Sequence, residues 1–329
     1  MKAFTYYNPK SVEDAIAVLG AEEKDSRLLA GGTDLLGEMK NLYLSPDRLI
    51  NLKAVPGLDK ISFSSAEGLK IGALATLSVL AENKMVRANY PGLAEAAESV
   101  GSPQLRNMGT VGGNICQRPR CWYYRGVEYP CLRKNGSVCF AVSGRNKYHA
   151  ILKGGPCFIV HPSDVAPMLM AYGARLAIGG RKGSRTVSMD EFFILPERDV
   201  TRENILERGE IITGITVPPP AAGQKDCYLK FKERESRDFT LASAAVVLEM
   251  DGKTCRRASL VLGGVSPAPY RAKEAEESLK GKEIRLDLVE KAAESALAGA
   301  EPLDENTYKI QLAKTILKRA VLRAAGVGV

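Results

Sequence analysis

Histidine is scarce in this chain: His149 and His161 are the only two among 329 residues. No nucleophile and base stand at a spacing that would suggest hydrolysis, and no metal-hydrolase motif is present. Both histidines are therefore expected to serve structure. Long apolar runs are missing too, and the N-terminal MKAFTYYNPKSVEDA lacks the apolar centre of a signal peptide. The sequence thus predicts no membrane span and, by default, a cytoplasmic location. Strong charge of one sign is also lacking. The net +8 is spread along the chain, which suits an anionic ligand or an acidic partner but makes no case for nucleic acid.

The length suffices for two or three domains with cores of their own. Hydrophobic residues make up 45% and charged residues 26%, an ordinary balance for a water-facing fold. SVEDAIAVLG reads as a helix with Ser11 as N-cap, Asp14 three residues on and Gly20 at its end. SRLLAGG reads as a short buried strand entering a turn. LINLKAVPGL and LKIGALAT read as strands, and PGLAEAAESV as a helix. This alternation predicts an α+β fold. The Pro-rich ITVPPPAAGQ, Ile215 to Gln224, marks a domain boundary. Strands with a hairpin at Asp251-Gly252 are expected after it, then helices over Leu286 to Ala300 and Thr307 to Ala325, the latter with Ile310, Ala313, Leu317, Ala320 and Val321 on one face. The expected division is 1–55, 56–220 and 225–329.

Two glycine pairs stand out, in LLAGGTDLL (Leu28 to Leu36) and TVGGNIC (Thr110 to Cys116). Bare backbone can approach a phosphate and turn several N–H groups onto one anion. Thr33 and Asn114 can each add a side-chain hydrogen bond. Neither pair ends in the P-loop's Gly-Lys-Ser/Thr and neither fits G-x-G-x-x-G. Tight turns would account for either pair alone; both together would suit a dinucleotide whose pyrophosphate lies between two loops.

Five of the seven cysteines, Cys116, Cys121, Cys131, Cys139 and Cys157, fall within 42 residues. That distribution is unlike a secreted disulfide framework. The spacings are not those of a zinc ribbon or a bacterial ferredoxin, and on spacing alone zinc and iron–sulfur both stand.

LLAGGTDLL and MGTVGGNIC resemble the paired flavin loops of the FAD-binding (medium) subunit of molybdenum hydroxylases, a group that includes the xanthine dehydrogenase, carbon monoxide dehydrogenase and 4-hydroxybenzoyl-CoA reductase families. LKIGALAT, HPSDVAPMLMAYGA, LERGEIITGITVP and GGVSPAPYRA are similar to stretches of those subunits in the same order. The resemblance implies a two-lobed FAD-binding domain followed by a C-terminal domain of sheet plus helices. It implies flavin contacts from Leu29, Ala30, Gly31, Gly32, Thr33, Asp34 and Leu35, and from Thr110, Gly112, Gly113 and Asn114. Asp164 is expected close to the flavin, and Lys230 or Arg237 as a cation near its ring.

Between the second glycine loop and HPSD the chain inserts a cysteine-rich segment, about 117–157. It resembles the extra loop of 4-hydroxybenzoyl-CoA reductase and of certain aldehyde oxidoreductases, which implies a [4Fe–4S] cluster on Cys121, Cys131, Cys139 and Cys157. Cys116, inside the flavin loop, is not counted among the ligands. Arg118, Arg120, Arg125, Arg133 and Lys134 are expected to surround the cluster. The implied function is electron transfer between FAD, this cluster and [2Fe–2S] clusters on a small partner, beside a large subunit with the molybdenum cofactor, and outward to a carrier such as ferredoxin. A 4-hydroxybenzoyl-CoA reductase-like complex is the first expectation. An aldehyde or N-heterocycle dehydrogenase is the alternative, and a flavin-free zinc-binding scaffold the alternative of another class.

Overall fold

Eight residues from Val12 to Leu19 form the first helix, started by Ser11, whose Oγ accepts from the Asp14 N–H at 3.2 Å. The Asp14 carboxylate does not close a capping box. It accepts instead from the Lys10 N–H at 2.9 Å and the Tyr7 hydroxyl at 2.8 Å. The computed structural model describes residues 1–21 and 24–328. The helix crosses between β1 (Thr5–Tyr7) and β2 (Ser26–Leu29), and β3 (Arg48–Asn51) lies between these two, parallel to both. Of LINLKAVPGL only the first part is strand; Leu52–Ala54 is a 3-10 turn.

The second sheet is antiparallel, in the order β4 (Ile61–Ser64), β5 (Gly68–Gly72), β8 (Ile211–Val217), β6 (Arg175–Gly180), β7 (Gly183–Ser188). The helices Pro91–Glu98 and Val165–Ala171 bury Leu93, Ala96, Ala97, Met168 and Leu169 in the core it shares. The Pro-rich stretch follows β8. A third sheet holds β9 (Gln224–Phe231), β10 (Ala242–Asp251), β11 (Thr254–Gly263) and β12 (Tyr270–Arg271) in antiparallel order, with β13 (Lys282–Glu283) on β11. The hairpin turns at Asp251-Gly252 as expected. β10 is buried from Ala242 to Leu248 without a break. A strand with polar alternation has one face in water, whereas this run has both faces covered. One face meets the helix Tyr308–Ala325, which lays Ala313, Ile316, Leu317, Ala320 and Val321 on the second core. The other joins the first core through Ala245 and Val247.

The mixed helix-and-sheet architecture agrees with the α+β expectation. Side-chain acceptors tie the helix Pro91–Glu98 to the third sheet: Asp226 Oδ1 takes the Gly92 N–H at 2.7 Å, and Glu95 Oε2 takes the Tyr228 N–H at 3.0 Å. No helix among the described residues is long and apolar enough to cross a membrane.

Candidate functional site

The first glycine loop leaves β2 and enters the helix Leu35–Lys40. Gly32 takes φ +72°, a left-handed turn that a side chain would strain. Gly31 makes the closer approach: a Cβ there would lie 2.0 Å from the Met108 carbonyl oxygen. The two loops therefore meet backbone to backbone, just ahead of the second pair. The N–H groups of Gly31, Gly32, Thr33 and Asp34 make no hydrogen bond within the described residues. They form a run of idle donors of the kind that holds anions.

The second loop differs from expectation. Val111 N–H donates to Ala75 C=O and Gly112 N–H to Ala73 C=O, at 2.9 and 2.8 Å. The Gly113 N–H donates to Thr110 Oγ1 at 3.1 Å and the Asn114 N–H to Thr110 C=O at 2.8 Å. Its amides are already used, so this pair provides a close wall rather than a second set of free donors. Asn114 Oδ1 accepts from Ser163 Oγ at 2.5 Å, which leaves its amide nitrogen free.

A cavity of about 830 Å³ lies between the loops, within the range of cofactor pockets. Ala30, Gly31, Gly32, Thr33, Asp34 and Leu35 line it on one side, Thr110, Gly112, Gly113 and Asn114 on another, and Asp164 and Arg237 complete the expected set. Leu29 is not in the lining, because successive strand residues face opposite ways and Leu28 takes the position. Lys230 is also absent from it. Its Nζ donates to Asp164 Oδ2 at 2.7 Å, Asp238 C=O at 3.0 Å and Ser99 C=O at 3.2 Å, so it stands behind Asp164. The other Asp164 oxygen accepts from the Tyr228 hydroxyl at 2.9 Å. Burial pushes the Asp164 carboxyl upward, against the pull of Lys230.

Sequence reasoning gave no role to Leu206, Ile211 or Ile212, which also line the cavity with Phe239. Their contribution comes from tertiary packing and leaves no local pattern.

The inserted segment departs from expectation in its arginines. Asp34 accepts from the Arg118 N–H at 2.7 Å, Arg120 Nη1 at 2.6 Å and Arg125 Nη2 at 2.8 Å. These residues clamp the insertion to the first glycine loop, and Lys134 turns to the Gly126 carbonyl. Of the five cations, Arg133 alone lines the cysteine site. The C-terminal domain holds the other end. Lys309, fully buried, donates to the carbonyls of Tyr148, His149 and Gly264, and Glu305 Oε2 accepts from the Asn146 N–H at 2.8 Å.

Cys121, Cys131, Cys139 and Cys157 line one small hole, with Tyr123, Tyr124, Phe140 and Phe158 around them. Cys116 lines the larger cavity instead. His149 Nε2 lies 3.2 Å from Cys121 Sγ. Cys139 and Cys157 lie on the same hole, and their interaction lowers the first thiol's pKa and raises the second's. The hole's lining contains no carboxylate. Among the described residues no group of three or more His, Cys, Asp or Glu is placed to hold a single metal ion, so the geometry supports no zinc site, and the case for the four thiols rests on the hole they share. His161 is buried in an edge-to-face contact with Phe193, ring centres 4.8 Å apart.

Comparison with known proteins places this geometry. Residues 2–220 match the family described as FAD binding domain in molybdopterin dehydrogenase, and residues 227–324 match the CO dehydrogenase flavoprotein C-terminal domain. The chain is 35% identical to the aldehyde oxidoreductase FAD-binding subunit PaoB of Escherichia coli (strain K12), over 98% of this chain and 99% of that one. It is 31% identical to the carbon monoxide dehydrogenase medium chain of Hydrogenophaga pseudoflava, over 97% and 96%. Among solved structures, carbon monoxide dehydrogenase from Hydrogenophaga pseudoflava superposes with a TM-score of 0.78 at 32% identity, covering 98% of this chain and 97% of that one. Quinoline 2-oxidoreductase from Pseudomonas putida 86 gives a TM-score of 0.77 at 27% identity, covering 99% of each. These matches replace the flavin-free alternative: the chain belongs to the FAD-binding medium subunits of the molybdenum hydroxylase family, of carbon monoxide dehydrogenase and xanthine dehydrogenase type, and is an oxidoreductase subunit.

Proposed function

We propose that this chain holds FAD in the cavity between its glycine loops and a [4Fe–4S] cluster on Cys121, Cys131, Cys139 and Cys157, and relays electrons within a larger complex. The complex would contain a large molybdenum-cofactor subunit and a small [2Fe–2S] subunit, with an external carrier such as ferredoxin. FAD, when bound, exchanges electrons singly or in pairs and so joins one-electron centres to two-electron chemistry.

The observation that carries the flavin site is the run of idle amides from Gly31 to Asp34 facing a wall only glycine permits. Those amides would take the pyrophosphate oxygens. The Asn114 amide nitrogen is a further donor. Asp164, held by Tyr228 and Lys230, presents a fixed carboxyl to the cavity, with Arg237 as the more exposed cation. For the cluster, the support is the donor set: four thiols around one hole with no competing carboxylate. Thiolate ligation suits iron–sulfur groups.

The clamp of Asp34 on Arg118, Arg120 and Arg125 makes the cysteine segment and the flavin loop one unit, so both centres would keep a fixed separation. For the complex as a whole, the 35% identity to an aldehyde oxidoreductase subunit over nearly all of both chains favours an aldehyde-type substrate. Neither relative named above favours the 4-hydroxybenzoyl-CoA reductase expectation.

The test is cofactor analysis of the purified chain and of its complex. Released flavin should be FAD. Iron should be near four per chain beyond the partners' clusters, lost in Cys139→Ser and kept in Cys116→Ser. FMN in place of FAD, or iron that survives Cys139→Ser and disappears in Cys116→Ser, overturns the assignment.

A further inference from the structure

Arg133 sits in the wall of the cysteine-lined hole with a side chain only 1% exposed. Its Nη1 donates to Glu203 Oε1 at 2.6 Å, but Nε and Nη2 have no partner. A guanidinium presents its N–H donors in a rigid plane. Leaving a buried donor unpaired costs about 1–3 kcal/mol, and more when it is charged. Two such nitrogens on one buried cation point to an acceptor that belongs beside them.

Nor is the charge of Arg133 fully balanced. Glu203 is shared, its other oxygen standing 3.1 Å from Arg118 Nε. One carboxylate therefore faces two guanidinium groups at this point. The hole itself has no carboxylate in its lining, and Arg133 shares that lining with Cys121, Cys131, Cys139 and Cys157. A lysine would suffice for a single bond to Glu203, whereas the planar fork reaches Glu203 and the hole at once.

Building on the cluster reading above, we propose that Arg133 is an electrostatic positioning residue for the iron–sulfur group: its free Nε and Nη2 donate to cluster or thiolate sulfur, and its charge raises the cluster's reduction potential. The reduced cluster carries one more negative charge than the oxidised one, with four thiolates already around it. A fixed cation beside the sulfurs favours the reduced form, and hydrogen bonds to sulfur act in the same direction. The electron comes from the reduced flavin or a partner cluster and no bond is made or broken. Glu203 moderates the effect by drawing off part of the charge.

The experiment is a redox titration of the purified complex, followed by the electron paramagnetic resonance signal of the four-iron cluster, with iron counted per chain. Arg133→Met should make the cluster harder to reduce by about tenfold in the oxidised-to-reduced equilibrium, about 59 mV for a one-electron couple. Glu203→Gln should move it in the opposite direction, and Arg133→Lys should fall between Arg133→Met and the unaltered protein. Unchanged potentials in Arg133→Met and Glu203→Gln, with four irons kept, overturn the proposal. If Arg133→Met loses its iron, Glu203→Gln decides: an upward shift supports the proposal and no shift overturns it. Lack of a four-iron signal in the unaltered complex is a different result, because it removes the cluster reading itself.

Discussion

Replacing Gly31 with alanine tests how the flavin site is built. The added Cβ would stand 2.0 Å from the Met108 carbonyl oxygen, 2.7 Å from its carbonyl carbon and 3.1 Å from Gly109 Cα. All three are backbone atoms, so no rotamer change relieves them. The first glycine loop must retreat from the second by about 1 Å before ordinary contact distances return. Overpacking of this kind costs about 1–3 kcal/mol. If that strain is relieved in the flavin-free state and restored when both loops close on the cofactor, FAD affinity falls by about 10- to 100-fold. Gly37→Ala is the matched control. It lies in the helix that follows, with nothing within 4 Å of its added Cβ, and should gain about 0.5–1 kcal/mol from alanine's better fit to helix. The assay is titration of deflavinated protein with FAD, beside urea unfolding of each variant. A folded Gly31→Ala variant with FAD affinity within twofold of the unaltered chain refutes the reasoning. So does equal flavin loss in Gly37→Ala.

Asp34→Asn keeps the side chain's shape but removes the charge that three donors from the insertion share; we expect a loss of about 2–3 kcal/mol, read by urea denaturation, with the cysteine segment more open to thiol reagents. Unchanged stability and thiol protection would contradict the clamp. Burial lowers the His161 pKa from 6.5 to about 4, so below pH 6.5 the unfolded chain takes up a proton that the folded chain refuses. This stabilisation is fully present above pH 6.5 and is lost as pH falls toward 4, with about 2 kcal/mol gone by pH 5. His161→Gln should flatten that part of the urea-midpoint profile, and equal slopes in both proteins would count against it. Lys309→Met leaves the carbonyls of Tyr148, His149 and Gly264 without their buried donor; about 3 kcal/mol of lost stability is expected, and hydrogen exchange should locate the loosening at residues 146–152 and 303–310. Uniform loosening along the chain would argue against a local tie.

What the sequence determined by itself was local or carried by resemblance. Helix Val12–Leu19, the Asp251-Gly252 hairpin and the final helix were legible because each rests on a cap, a turn pair or a periodic face within a few residues. The two glycine pairs were legible as places where backbone approaches something. Tertiary structure decided which glycine does what: Gly31 packs against Met108, 77 positions along the chain, and the amides of the second pair are taken up by Ala73, Ala75 and Thr110. It also decided the arginines. By spacing, Arg118, Arg120, Arg125, Arg133 and Lys134 each lie within four residues of a cysteine. In the fold, Asp34 draws Arg120 and Arg125, which are 86 and 91 residues away, and only Arg133 remains at the hole. A charge's partner is set by which carboxylate the folded chain brings within hydrogen-bond reach. That distance depends on how the sheets pack, and no neighbouring residue encodes it.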